Sequence, residues 1–205
     1  ETMGHWLESP TGTEGRSIAA ANDWNFDDPG ENLGPKTNDL WKPVIAAVNG
    51  LACGGAFYML GEVEFIIAAE HATFFDPHVT YGMAACFEPI HMLQKMPFHE
   101  IARLSLLGAH ERLSARRAHE IGLVSEVVPA SELHAHAEWA ARTIASASPS
   151  AIQGTVRALW AGRELSRRQA LEMGKVLIRA GSDPASLLAG QQAFASGARI
   201  EPRIR

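Results

Sequence analysis

The stretch Lys42–Leu60, KPVIAAVNGLACGGAFYML, constrains the chain more than any other. Val44 to Val48 is an unbroken apolar run, bounded by Pro43 on one side and Asn49-Gly50 on the other. A run of this kind, without alternation, reads as a strand covered on both faces, as in a helix-covered parallel sheet. Asn49 to Gly55 reads as a turn carrying Gly50, Gly54 and Gly55, and Ala56 to Leu60 continues with helix formers. The first N–H groups of a helix lack internal partners and carry the positive end of its dipole. Glycine lets another group approach such a main chain closely. A corner of this type suits an anion, either an oxyanion or a phosphate; it also suits a helix packed tightly on a strand. The Lys and Ser or Thr of a Walker loop do not follow Gly55, and Gly50-x-x-x-Gly54-Gly55 does not supply the G-x-G-x-x-G of a dinucleotide site.

Composition narrows the classes. The 205 residues suffice for a sizeable core, and 46% apolar with 20% charged residues is ordinary for a globular chain. A net charge of −5 argues against a nucleic-acid partner bound through its phosphates. No apolar run approaches the roughly 18 residues of a membrane span. Residues 1–30 are polar and acidic, without the apolar centre of a secretory signal. Cys53 and Cys86 are the two cysteines, so a reduced, cytoplasmic setting is expected, with no disulfide framework.

Further elements follow from periodicity. Glu1–Glu8 is predicted as a helix from Met3, Trp6 and Leu7, and Ser9–Lys36 as a long irregular region enclosing a short helix at Ser17–Trp24. Trp24, Phe26 and Trp41 lie in or beside this region, either folded over a pocket or buried at the base of a solvent loop. Glu62–Ala69 and Ala72–Phe75 are predicted strands, broken by Asp76-Pro77-His78. Pro89–Lys95 and Phe98–Leu107 are predicted helices, the second stopping at Gly108. Ser114 caps a helix over Ala115–Ile121 that stops at Gly122, and Leu123–Val128 is a strand. From Ser131 the pattern turns helical: Leu133, Ala137, Ala140 and Ile144 form one stripe. Helices over Ile152–Leu159, Leu165–Ala180 and Pro184–Ala198 complete the chain.

Two motifs in register, K-P-V-I-A-A-V-N-G-x-A-x-G-G-A and G-L-V-S-E-V-V-P at Gly122–Pro129, resemble those of the enoyl-CoA hydratase/isomerase (crotonase) family. The resemblance spans roughly Asn38 to Ala161. It implies an α/β fold: a ClpP/crotonase-like ββα spiral core at 1–130 and a C-terminal helical trimerisation region at 131–205. It implies a homotrimer or dimer of trimers, no tightly bound cofactor, and coenzyme A as part of an acyl-CoA substrate. It places one half of an oxyanion hole at the Gly55 N–H, with Gly54 beside it. The other half, on an A-F-x-A-G-x-D-type segment, has no match here. An N-terminally incomplete chain is therefore expected, because a core lacking its first strands would expose long edges.

The resemblance also marks a departure. Family hydratases carry one glutamate in G-G-x-x-E and another after the proline of an F-x-x-P-E segment. Here those positions hold Tyr58 and His78, and the glycine-rich run that normally follows reads Ala85-Cys86-Phe87-Glu88-Pro89. An unperturbed histidine titrates near ~6.5 and can serve as acid or base at neutral pH. Tyr58 can donate a hydrogen bond, and Glu88, ten residues after His78, can orient or assist it. The expected set is thus His78, Tyr58 and Glu88 for acid–base work, with Gly55 and Gly54 at the thioester. Helix packing, a satisfied core hydroxyl and helix capping are the structural alternatives for Tyr58 and Glu88. His134-x-His136 on a helix diverges too far to pair on a metal, and no metal site is expected. Two readings of function remain. One is an acyl-CoA enzyme performing hydration, double-bond shift or C–C hydrolysis through a thioester enolate. The other is a catalytically silent homologue that binds acyl-CoA or assembles with an active paralogue.

Overall fold

The computed structural model describes residues 19–22, 25–26, 29–197 and 199–204. The helix expected at Glu1–Glu8, the placement of Trp24 and the side chain of Phe26 lie outside the described residues.

β1 (Ala19–Asn22) pairs antiparallel with β2 (Asn25–Phe26), in the register Asn22↔Asn25. This corrects the short helix expected over Ser17–Trp24. A helix of so few residues must meet the full nucleation penalty, whereas a hairpin partner two residues away supplies pairing at once.

The centre is built from two three-stranded sheets entered alternately. β3 (Ile45–Val48) lies in the first, and after the Asn49-Gly50 corner β4 (Leu51–Cys53) lies in the second. α1 (Ala56–Glu62) returns the chain to β5 (Phe65–Ala69) in the first sheet, and β6 (Thr73–Phe75) follows in the second. β7 (Leu113–Ser114) closes the second sheet and β8 (Glu126–Val128) the first. Pairing is parallel for β3–β5, β5–β8 and β4–β6, and antiparallel for β6–β7. Each lap lays one strand in each sheet, which is the ββα spiral the resemblance implies.

The strand β4 replaces part of the turn expected over Asn49–Gly55. Three residues between glycines are too few to show a period, but Leu51, Ala52 and Cys53 pair with Thr73, Phe74 and Phe75. The strand expected from Glu62 begins only at Phe65, because Glu62 ends α1. On β5, Ile66 and Ala68 enter the main core with Phe57, Phe74, Met92 and Leu104, while Ile67 and Ala69 face Val128 and Leu133. Both faces are covered, which is why this strand's sequence is apolar without alternation.

Helices α2 (Phe87–Leu93), α3 (Phe98–Leu107) and α4 (Ala115–Glu120) follow β6. α3 ends at Gly108, whose φ of +61° favours glycine. Ser114 caps α4 by accepting from Arg117 N–H at 3.2 Å. The chain then turns helical: α5 (Leu133–Ala145), α6 (Pro149–Glu164), α7 (Arg167–Gly181) and α8 (Pro184–Ala195). α6 and α7 approach closely at two glycines. A Cβ on Gly154 would lie 3.1 Å from Gly181 Cα, so larger residues would push the pair apart.

A buried polar cluster fastens the segment before β3 to the C-terminal end of α1. Glu62 accepts from Lys36 N–H at 2.7 Å, Thr37 N–H at 2.9 Å and Thr37 Oγ1 at 2.5 Å. Glu64 pairs with Lys36 Nζ at 2.9 Å and accepts from Val44 N–H at 2.5 Å and Trp160 Nε1 at 2.8 Å. Lys36, Lys95 and Arg163 stand 5.6–5.7 Å from the Trp160 ring, and Lys95 Nζ donates to the Val63 carbonyl. Burial, helped by Arg163 and Lys36 and opposed by Glu64, pushes Lys95 down to about 8. Among the described residues no helix is long and apolar enough to cross a membrane.

Candidate active site

Parallel pairing of β4 with β6 in the register Cys53↔Phe75 sets the residues just past each strand side by side. Past β4 come Gly54 and Gly55; past β6 come Asp76, Pro77 and His78. Gly54 is left-handed, φ +49°, and a Cβ there would sit 3.7 Å from both His78 Cε1 and Pro77 Cδ. The sequence therefore needs glycine at this position for the bend, and the bend brings the imidazole against the turn.

Gly55 caps α1 in helical conformation, and the first turn is closed by Phe57 N–H on Gly54 O at 2.8 Å. The residue is exposed, and a Cβ on it would meet nothing within 4 Å. No acceptor among the described residues takes the Gly55 N–H. The amide is thus open on the side where the dipole of α1 is positive.

His78 opens a single 3-10 turn, His78–Tyr81, pinned by Ala109 N–H on Thr80 Oγ1 at 2.8 Å. Its side chain is 21% exposed. Nε2 lies 3.4 Å from Glu88 Oε1, and Glu88, in the first turn of α2, is itself buried. The sequence reading paired His78 with Glu88, and the fold brings them together. Glu88 faces Nε2, and a second carboxylate, which the sequence reading does not assign, faces Nδ1. Asp76 Oδ1 lies 2.5 Å from His78 Nδ1 and also accepts the His78 backbone N–H at 3.1 Å. An aspartate that takes the N–H two residues on is a common turn device, and Asp-Pro-His carries that signature. The sequence reading used Asp76 only as a strand breaker.

Tyr58 stands one helical turn after Gly54 and is buried. Among the described residues its ring meets those of His91 at 5.2 Å and Phe87 at 6.5 Å, and it presses on Gly30, where a Cβ would collide with it. The two ring contacts lie on α2. Cys53 borders the site, but burial pushes its thiol up, Asp76 adds to the effect and Arg112 opposes it. A thiol held protonated is a poor nucleophile.

Asp76, His78 and Glu88 offer donor atoms all within 4.8 Å of one another. Asp76 faces Nδ1, however, and Glu88 faces Nε2. The hydrogen bond between Nδ1 and Oδ1 leaves no room for an ion between those two atoms. The arrangement suits a proton relay: an imidazole held by one carboxylate, facing another, beside an open main-chain amide.

Comparison with known proteins finds similar chains. Residues 13–201 match the family model described as enoyl-CoA hydratase/isomerase. The chain is 31% identical over 168 residues to (E)-benzylidenesuccinyl-CoA hydratase of Thauera aromatica, covering 81% of this chain and 64% of that protein. It is 36% identical over 145 residues to carnitinyl-CoA dehydratase of Salmonella arizonae, covering 70% of this chain and 53% of that protein. The chain thus spans between about half and two thirds of the length of these curated relatives. Among solved structures, an enoyl-CoA hydratase/isomerase from Mycobacterium paratuberculosis superposes with a TM-score of 0.79 at 31% identity, over 92% of this chain and 73% of that one.

Proposed function

Because the chain belongs to the enoyl-CoA hydratase/isomerase family and has its crotonase fold, we propose that it is an acyl-CoA enzyme that works through a thioester enolate. The Gly55 N–H, with Gly54 shaping the bend, holds the thioester oxygen. His78 Nε2 takes a proton, from Cα or from a water adding across an enoyl double bond. The electron pair moves onto the thioester oxygen, where the Gly55 amide stabilises it, and the imidazolium delivers its proton to carbon, directly or by relay through Glu88. One donor of this kind is worth about 10²–10³ in kcat, and a positioned base about 10²–10⁴. Tyr58 contributes a hydroxyl donor from the first turn of α1.

The observation that carries this reading is the contact between turn and imidazole, with a Cβ on Gly54 only 3.7 Å from His78 Cε1. Acid–base chemistry and carbonyl polarisation then fall within one substrate's reach. Coenzyme A enters as part of the substrate. The exposed apolar side chains of α7 and α8, among them Val176, Ile178, Leu187 and Phe194, support assembly into a homotrimer or dimer of trimers. This reading keeps 1–130 as the spiral core and 131–205 as the assembling region.

The experiment is a panel of enoyl-CoA and 3-hydroxyacyl-CoA thioesters offered to the full chain, followed by enoyl absorbance and mass. His78→Ala is expected to lower kcat on the best substrate by about 10²–10⁴-fold with thioester binding retained. Full turnover by that variant removes His78 from the role. Tyr58 and His78 at the two glutamate positions favour one second reading, a silent homologue. Binding by the parent protein without turnover on any thioester would establish that instead.

A further inference from the structure

We propose that Asp76 is the positioning residue of this site: it fixes the tautomer and the orientation of His78, so that Nε2 faces Glu88 and the substrate. The inference rests on the enolate reading above and adds to it the group that makes His78 competent. One oxygen, Oδ1, takes both the ring Nδ1 at 2.5 Å and the backbone N–H of His78 at 3.1 Å. Ring and main chain are therefore registered to the same atom. Pro77, with φ −85°, stiffens the link between the two residues.

The surroundings point the same way. The Asp76 side chain is 1% exposed, and its second oxygen, Oδ2, has no hydrogen-bond partner among the described residues. A fold that needed only a turn would not bury a carboxylate with an unmet acceptor, because such a group is strongly destabilising. The arrangement becomes favourable when the imidazole gains a proton, since the buried negative charge then faces a positive ring. That moment occurs in the proposed reaction when Nε2 takes the proton. Asp76 never receives it; the proton stays on His78 until it passes to carbon. Glu88 faces the other ring nitrogen, Nε2, and Arg112 lies over the neighbouring Phe75 ring at 5.1 Å.

The test compares Asp76→Asn and Asp76→Glu with His78→Ala, using the best CoA thioester from the panel. An asparagine amide can donate to Nδ1 and would force the proton onto Nε2, the wrong nitrogen. Asp76→Asn is expected to lose about 10²–10⁴-fold in kcat with little change in KM, and the limb of its pH–rate profile set by His78 should move to lower pH. Asp76→Glu, which keeps the charge, should recover part of the rate. A residue that only shapes the turn would give a less stable protein with an unaltered pH profile, which overturns the proposal. Stoichiometric binding of Co²⁺ by the parent and its loss in Asp76→Asn would also overturn it, by making Asp76 a metal ligand. If His78→Ala abolishes turnover and Asp76→Asn does not, this inference fails and the enolate reading stands. If neither substitution affects turnover, the enolate reading itself fails.

Discussion

The two ends of α1 use buried charge in opposite ways. At its C-terminal end, Glu62 and Glu64 are saturated: main-chain N–H groups, a threonine hydroxyl, an indole and a lysine occupy their oxygens. At its N-terminal end, Asp76 holds a histidine with one oxygen and leaves the other unmatched, beside an exposed glycine amide. Both clusters are buried, and both contain a carboxylate and a cationic or basic partner. Satisfied valences mark a joint between segments. Unsatisfied ones, next to open main chain, are what the proposed site has and the joint lacks.

This contrast can be broken by substitution. Glu64→Ala strips Lys36 of its partner, and the Lys36 side chain is only 6% exposed. Leaving a buried charge unpaired should cost about 3–5 kcal/mol of stability. Urea unfolding should show that loss, while kcat per folded molecule stays near the parent value. A large fall in kcat with normal stability would mean that the two ends are not distinct in kind.

A second measurement uses pH. Lys95 is held at about 8 against an ordinary 10.5, mainly by burial. Below pH 8 the amine is charged in both folded and unfolded chains, and the burial penalty is present in full. Between about 8 and 10.5 the folded chain has released the proton and the unfolded chain still holds it. Stability therefore rises with pH across that window. Relative to Lys95→Met, the parent should gain on the order of 1–3 kcal/mol from pH 8 to 10.5 in stepwise unfolding curves. Equal curves for the two proteins would show that the ammonium is hydrated after all.

The smallest effect sharpens the comparison. Trp160→Phe keeps a ring for the three cations and removes only the Nε1 donor to Glu64. About 1–2 kcal/mol of stability should be lost, again at unchanged kcat. A loss as large as that of Glu64→Ala would show that the indole N–H, not the Lys36–Glu64 pair, organises the joint.

Sequence reasoning served these regions unequally. The strand at Ile45–Val48, the helix at Phe98–Leu107 and the stops at Gly108 and Gly122 were legible because each depends on neighbouring residues. β4 was not legible, since three residues acquire their pairing only from β6. Glu62 and Glu64 looked like ends of a strand; their partners lie up to 96 residues away, and no local pattern announces them. His78, Glu88 and Gly55 stand as candidates through the family resemblance. Asp76 carries a local signature, but Asp-Pro ends a strand whether or not the aspartate also accepts the N–H two residues on, so its contact with the His78 ring shows only in the fold.

The hydrogen-bonded ladder between β4 and β6 acts as a ruler for the site. Adjacent strands stand about 4.8 Å apart, so the glycine corner and the Asp-Pro-His corner are spaced by main chain and not by side-chain fit. Side chains at the second corner can change without shifting the first. On the reading proposed above, a lineage built on such a frame can trade one acid or base for another while retaining its grip on the carbonyl, so new reactions can be tried on a substrate that is already held.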